Sequence, residues 1–178
     1  MQTSLRFPRH SALIFLPAIV LLHCGFAEAQ QVQADTLYTN AAYRWSISYP
    51  LSWTVDGGDS SFVRVLPPGS DALCGIHSGN VRFKTLDEFT EFMLAHMEQS
   101  LKQQGFASVI SDQHRISLPR DVIGNDVLVD IVPGGRSHRI FVLADGRGFG
   151  IDCETAAENW ERLGPFFDRI VSSFTVEQ

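Results

Sequence analysis

Large apolar side chains fall on alternate positions through much of this chain, and in two stretches that rhythm gives way to a spacing of three and four. In Tyr43-Arg44-Trp45-Ser46-Ile47-Ser48-Tyr49 the bulky groups occupy every second residue, the period of a strand with one face buried. Pro50 has no N–H to give to a ladder and ends it. Three more short strands are predicted at 53–55, 62–66 and 72–78, separated by Asp56-Gly57-Gly58-Asp59 and Pro67-Pro68-Gly69-Ser70. The first helical stripe follows: Leu86, Phe89, Phe92, Met93, His96, Met97 and Leu101 recur every three or four residues. Thr85 and Glu88 form a capping box at its start, and Gly105 is a suitable stop. His96 has no partner at helical spacing and reads as a core or boundary residue rather than a ligand.

Beyond this helix, strands are predicted at 107–111, 114–118, 127–132, 138–143 and 149–153. Asp145-Gly146 is a strong hairpin signal, because both central residues of a type I′ turn need positive φ. A two-residue turn there pairs Val142 with Phe149, Ile140 with Ile151 and His138 with Cys153. Treating Pro133-Gly134-Gly135-Arg136 as the preceding connection pairs Val132 with Ser137, Asp130 with Arg139 and Leu128 with Phe141. In that register one face carries Val127, Val129, Ile131, Ile140, Val142, Phe149 and Ile151, and the other Leu128, Val132 and Phe141. A sheet apolar on both sides must be covered on both sides. The second cover is a helix opened by Thr155 and Glu158 as another capping box, kinked or restarted at Pro165, with Phe166, Phe167, Ile170, Val171 and Phe174 as its apolar face. The predicted class is therefore α+β.

The first thirty residues read differently. Arg6, Arg9 and His10 make a positive start, residues 12–22 are apolar, and Ala27-Glu28-Ala29 offers small residues for cleavage, so residues 1–29 are expected to be an export signal. The apolar run, broken by Pro17 and closed by His23, falls short of a membrane span. Cys24 leaves open a lipid anchor, although the bulky, polar His23 sits where a lipoprotein signal wants a small residue. Residues 30–41, polar and without periodicity, are expected to be a flexible lead, and residues 42–178 one domain. Loss of the signal removes Cys24 and leaves Cys74 and Cys153, for which an oxidising compartment permits one pairing. Such a bond closes a loop of about 80 residues and is worth about 4.5 kcal/mol on the chain-entropy argument. Two buried free thiols are the other reading, since cysteine packs well as a small hydrophobe.

Composition narrows the function. With 178 residues, 44% hydrophobic and 19% charged, the chain is neither a disordered tail nor a repeat array. A formal charge of −6 argues against nucleic acid as a partner, and removal of the signal deletes two arginines and one glutamate, making the mature chain more acidic still. His77, His96, His114 and His138 lack metal-ligand spacing, no Gly-x-Ser-x-Gly elbow is present, and Gly146-Arg147-Gly148 enters a strand rather than a helix, so no metal, catalytic or cofactor site is assigned. His77 and Ser78 point to opposite faces of a strand and make no relay.

The order of these features resembles a known superfamily. The run from Tyr43 to Trp53, an aromatic-rich strand closing in Tyr-Pro with a Trp three residues on, resembles the opening signature of the PsbP-like superfamily. Gly146-Arg147-Gly148-Phe149-Gly150-Ile151 is similar to that superfamily's glycine-rich lead into its last strand, and Val171-Ser172-Ser173-Phe174 to its closing helix. The superfamily includes the extrinsic photosystem subunit PsbP, Mog-type Ran-binding proteins and exported bacterial members resembling DcrB and LpqN. The resemblance implies a three-layer α/β/α sandwich around a central antiparallel sheet with a helix on each face. It implies no shared catalytic residues.

One constellation stands out. The derived register sets Asp130, Arg139 and Asp152 side by side, so a single guanidinium can bridge two carboxylates, either as a structural ion cluster or as the polar floor of a small-ligand site. The acidic edge of the first helix, Asp87, Glu88, Glu91 and Glu98, reads as a solvated face, two of the four suiting the helix dipole. The expectation is an exported, periplasmic or extracellular binding or assembly module of the cell envelope, without catalysis or cofactor, engaging an envelope protein or small ligand. The alternative is a hydrolase or ligand-processing enzyme assembled by the fold from His114, His138, Asp130 and Asp152.

Overall fold

The computed structural model describes residues 34–58 and 60–177. The expected signal segment 1–29, with Cys24, lies outside the described residues. In chain order the elements are β1 (Asp35–Asn40), β2 (Trp45–Pro50), β3 (Thr54–Asp56), β4 (Phe62–Leu66), β5 (Leu73–Asn80), α1 (Leu86–Gln103), β6 (Ala107–Leu118), β7 (Val122–Val132), β8 (Gly135–Ala144), β9 (Arg147–Ala156), α2 (Trp160–Ser172) and β10 (Thr175–Val176). The described residues are mixed α/β, with two sheets. Seven strands run antiparallel in the order β3-β4-β5-β9-β8-β7-β6, and a second sheet has the order β1-β2-β10.

The second sheet was not expected. The aromatic-rich strand β2 does not join the meander. It lies between β1 and β10, with Trp45 and Ile47 fully buried. Strand β1 falls in the stretch expected to be a flexible lead. Its inward residues are Thr36, Tyr38 and Asn40, so its alternation is real but carries little hydropathy. The predicted strands 107–111 and 114–118 are one strand, β6, interrupted by a register shift between Ile110 and Asp112. Ser111 is the extra residue of that bulge, and its hydroxyl donates to the Leu128 carbonyl at 3.2 Å.

Helix α1 begins and ends as its sequence dictates. Thr85 Oγ1 accepts from the Glu88 N–H at 3.2 Å, and Glu88 reaches back to accept from the Lys84 N–H at 3.0 Å. At the far end the Gly105 N–H donates to the Lys102 carbonyl and the Phe106 N–H to the Leu101 carbonyl, with Gly105 at φ +85°, the double closure that needs a left-handed residue. Its inner stripe is narrower than expected. Phe89, Thr90 and Met97 are buried, whereas Phe92 and His96 face solvent and stack on each other.

Helix α2 departs further from expectation. Thr155 belongs to β9, where its hydroxyl is buried without a partner among the described residues, and no side chain caps the helix start at Asn159. The helix continues through Pro165 instead of restarting there. Pro165 lacks an N–H, so the Glu161 carbonyl loses its helical donor; the apolar face outweighs that loss, because Leu163, Phe167, Ile170 and Val171 are all buried.

The register of the large sheet separates two cores. Asp145 and Gly146 sit at φ +51° and +71° in the β8–β9 turn, and Val142 pairs with Phe149, Ile140 with Ile151 and His138 with Cys153, as the Asp-Gly signal predicts. The β7–β8 hairpin differs. Ile131 pairs with Gly135 across a three-residue loop, with Gly134 at φ +81°, so Val127 rather than Asp130 faces Arg139. The offset is odd, and an odd offset exchanges faces. Val127 and Val129 consequently join Phe141, Phe89 and Met97 in one cluster, while Ile140, Val142, Phe149 and Ile151 pack with Trp45, Phe167, Ile170 and Phe174 in the other. Cys74 and Cys153 are directly opposite on β5 and β9 and form a disulfide with S–S 2.02 Å, the expected pairing.

Candidate functional site

Glycines on β9 set the height of α1 above the sheet. A Cβ on Gly148 would lie 2.8 Å from the Phe89 ring and 3.0 Å from Val81, so only glycine admits the first half of the helix at this distance. At Gly150 the Met93 methyl would be 3.3 Å away. Two residues on, β9 carries Asp152 and then Glu154 on the same face. Large polar groups replace glycine there, and a partly open cavity of about 410 Å³ lies between the second half of α1 and the sheet.

The cavity has a mixed roof and a charged floor. Met93, Met97 and Leu101 come down from α1 beside the polar His96, Ser100 and Gln104, Phe141 rises from β8, and His77, Arg139, Asp152 and Glu154 supply the polar groups of the floor. Arg139 is only 9% exposed. Its Nε donates to Ser137 Oγ at 2.7 Å, and the Ser137 hydroxyl in turn donates to Asp152 Oδ1 at 2.7 Å. A terminal guanidinium nitrogen lies 2.7 Å from Asp152 Oδ2 and 3.7 Å from Glu154 Oε2. A buried guanidinium held this way is costly to leave unpaired and therefore stays fixed in place.

Two neighbours titrate away from their ordinary ranges. Partial burial lowers the His77 pKa, with Asp152 opposing and Arg139 adding to the shift, so this imidazole favours its neutral form. His77 stands at the rim, its ring stacked on Phe62 with centroids 4.3 Å apart. Partial burial and the adjacent Asp152 raise the Glu154 pKa, against the pull of Arg139.

The expected trio is thus brought together in part. Arg139 and Asp152 meet as cross-strand partners, whereas Asp130 faces Arg136 and accepts from its Nε at 2.7 Å. The three-residue β7–β8 loop is the cause. Residues that the sequence reading missed are Ser137, His77 and Glu154. Glu154 was findable, since it lies two residues beyond Asp152 on the same strand; His77 reaches the site only because β5 pairs with β9.

A second polar cluster lies along the other face. His138 Nδ1 is 3.0 Å from Asp168 of α2, and its Nε2 is 2.8 Å from Asp126 of β7. Carboxylates flank both ring nitrogens, so both bonds form only when both nitrogens carry hydrogen. Burial pulls the His138 pKa down, but the hydrogen bonds and charges of Asp126 and Asp168 outweigh it and the net shift is upward. His114, more exposed, stands 3.9 Å from the same Asp126 and 3.3 Å from Asp112. The structure therefore joins His114 and His138 through Asp126 but leaves Asp130 with Arg136 and Asp152 in the cavity. Among the described residues, no group of three or more His, Cys, Asp or Glu side chains is arranged to hold a metal ion, and no helix is long and apolar enough to cross a membrane.

The described residues form a mixed α/β fold with two antiparallel sheets and two helices, a recognisable structural class. The fold is PsbP-like. The solution structure of cyanobacterial PsbP (CyanoP) from Synechocystis sp. PCC 6803 is similar at a TM-score of 0.65 and 15% identity, covering 86% of this chain and 99% of that one. A crystal structure from Bacteroides thetaiotaomicron is similar at a TM-score of 0.50 and 7% identity, over 82% of this chain and 49% of that one. No family model and no curated protein matches the sequence.

Proposed function

We propose that this chain is an exported, non-catalytic binding module of the cell envelope, and that the cavity beneath α1 is its small-ligand seat. The observation that carries the reading is the buried Arg139, fixed by Ser137 and Asp152 at the floor of a cavity of about 410 Å³ whose lining mixes polar and apolar side chains. Ligand sites combine a largely apolar lining with a few fixed polar groups, and this volume falls within their usual range. Export is supported by the charged, apolar and small-residue order of residues 1–29 and by the one available cysteine pairing. The same reading places the molecule in three layers, with α1 over one face of the seven-stranded sheet and α2 with the small sheet over the other. The alternating membership of the two apolar clusters along β8 supports that arrangement.

The test is a ligand screen by thermal shift on the purified protein, repeated with Ser100→Trp. Ser100 is exposed and lines the cavity mouth, so an indole there blocks the seat without disturbing the core. Ligands that stabilise the parent protein and lose that effect in the variant support the reading. Equal stabilisation of both proteins overturns it. Turnover on a general hydrolase panel that His138→Asn abolishes supports the enzyme alternative instead.

A further inference from the structure

We infer that the cavity takes the protonated amine end of a small, partly apolar organic molecule; this deepens the binding-module reading and rests on the cavity being the ligand seat. The first reason is the balance of charge on the floor. Among the described residues lining the cavity Arg139 is the one guanidinium, and it faces two carboxylates, Asp152 at 2.7 Å and Glu154 at 3.7 Å. An incoming anion would add a third negative charge beside a single buried cation. A positively charged donor instead balances the excess carboxylate and finds acceptor oxygens on both side chains.

The second reason is independent of side-chain charge. Ser100, Leu101 and Gln104, which line the cavity, belong to the last turn and cap of the 18-residue helix α1. Aligned peptide dipoles place roughly half a negative charge at that end of a helix, which favours a cation within about a turn. Met93, Met97 and Phe141 also line the cavity and suit a hydrocarbon or aromatic body, the thioethers adapting to its shape. The part-exposed Glu154, whose ionised form is disfavoured by burial and by Asp152, shares the Arg139 guanidinium with Asp152 and stands 3.7 Å from it; an ammonium group supplies a second cation.

Three probes with one body and different heads test the inference: 2-phenylethylammonium, 3-phenylpropanoate and 3-phenylpropan-1-ol, titrated separately into the protein carrying 13C-labelled methionine methyls. The expected result is shifts at the Met93 and Met97 methyls, with the ammonium binding at least tenfold more tightly than the carboxylate. Glu154→Gln should remove most of that preference, and Glu154→Lys should reverse it. Glu154 is on the surface side of the floor, and both variants should retain the parent methyl spectrum without ligand. Equal or tighter binding of the carboxylate or the alcohol at the same methyls overturns the charge assignment and leaves the ligand seat standing. Absence of any shift with all three probes overturns both.

Discussion

The two faces of the seven-stranded sheet are built from alternate residues of the same strands, yet they are packed to different standards. On the α2 side, Phe149, Ile140, Ile151, Phe167 and Phe174 are fully buried, and the Phe149 and Phe174 rings lie 5.6 Å apart. On the α1 side the buried residues are few, Phe141 borders a cavity, and a guanidinium occupies the interior. Close packing gives a single rigid native state, while fixed polar groups beside a void cost stability. The first face therefore carries more of the fold's stability than the second.

The largest test of that contrast is a pair of truncations. Phe149→Ala should destabilise by about 5 kcal/mol and Phe141→Ala by about 3 kcal/mol, the two ends of the usual range for buried Phe→Ala, because Phe141 already borders empty volume and loses fewer contacts. Urea unfolding of both variants decides it, and equal costs would break the comparison. Next in size is Asp152→Ala, which leaves the buried Arg139 with Ser137 and, as its nearby anion, the more distant Glu154; about 3 kcal/mol is expected, and Arg139→Met in the same background should recover much of it. A double variant no more stable than Asp152→Ala would show that the floor is not an ion network. Smaller again is the loss at Thr85→Ala, about 1 kcal/mol for a helix cap, which loosens only the α1 side.

His138 supplies a pH test on the α2 face. Its folded pKa is raised, so its contribution to stability is complete below the unfolded histidine value of about 6.5 and disappears as pH climbs through the folded value. The stability difference between the parent and His138→Gln, measured by urea unfolding at pH 5.5 and pH 8.5, should shrink at the higher pH. A difference that grows with pH would mean the ring is neutral between Asp126 and Asp168.

Local chemistry explains which parts of this structure the sequence made legible. Asp145-Gly146 admits essentially one tight turn, so the β8–β9 register followed, and with it the contact of Arg139 with Asp152. The segment Pro133-Gly134-Gly135 is compatible with more than one loop length; choosing a loop one residue too long moved Asp130 to the wrong partner and mixed the two apolar faces. The Thr155 and Glu158 pair shows the opposite failure, a correct motif spacing whose threonine stays in β9 while the helical turn that follows is entered at Ala156 without a side-chain cap. Strands β1 and β10 left little trace because one is mostly polar and the other spans only Thr175–Val176. The cavity itself was not legible, since its depth depends on the clearance of Phe89 over Gly148, a distance between segments far apart in the chain.

The bond between Cys74 and Cys153 joins β5 to β9, the seam through which β3, β4 and β5 attach to the rest of the large sheet. Riveted there, the ladder can fray only from its outer margins, at β3 on one side and β6 on the other. Amide hydrogens along β5 and β9 should then be the last to trade with heavy water, and adding a reductant should bring a whole three-strand flap, rather than one residue, into faster exchange.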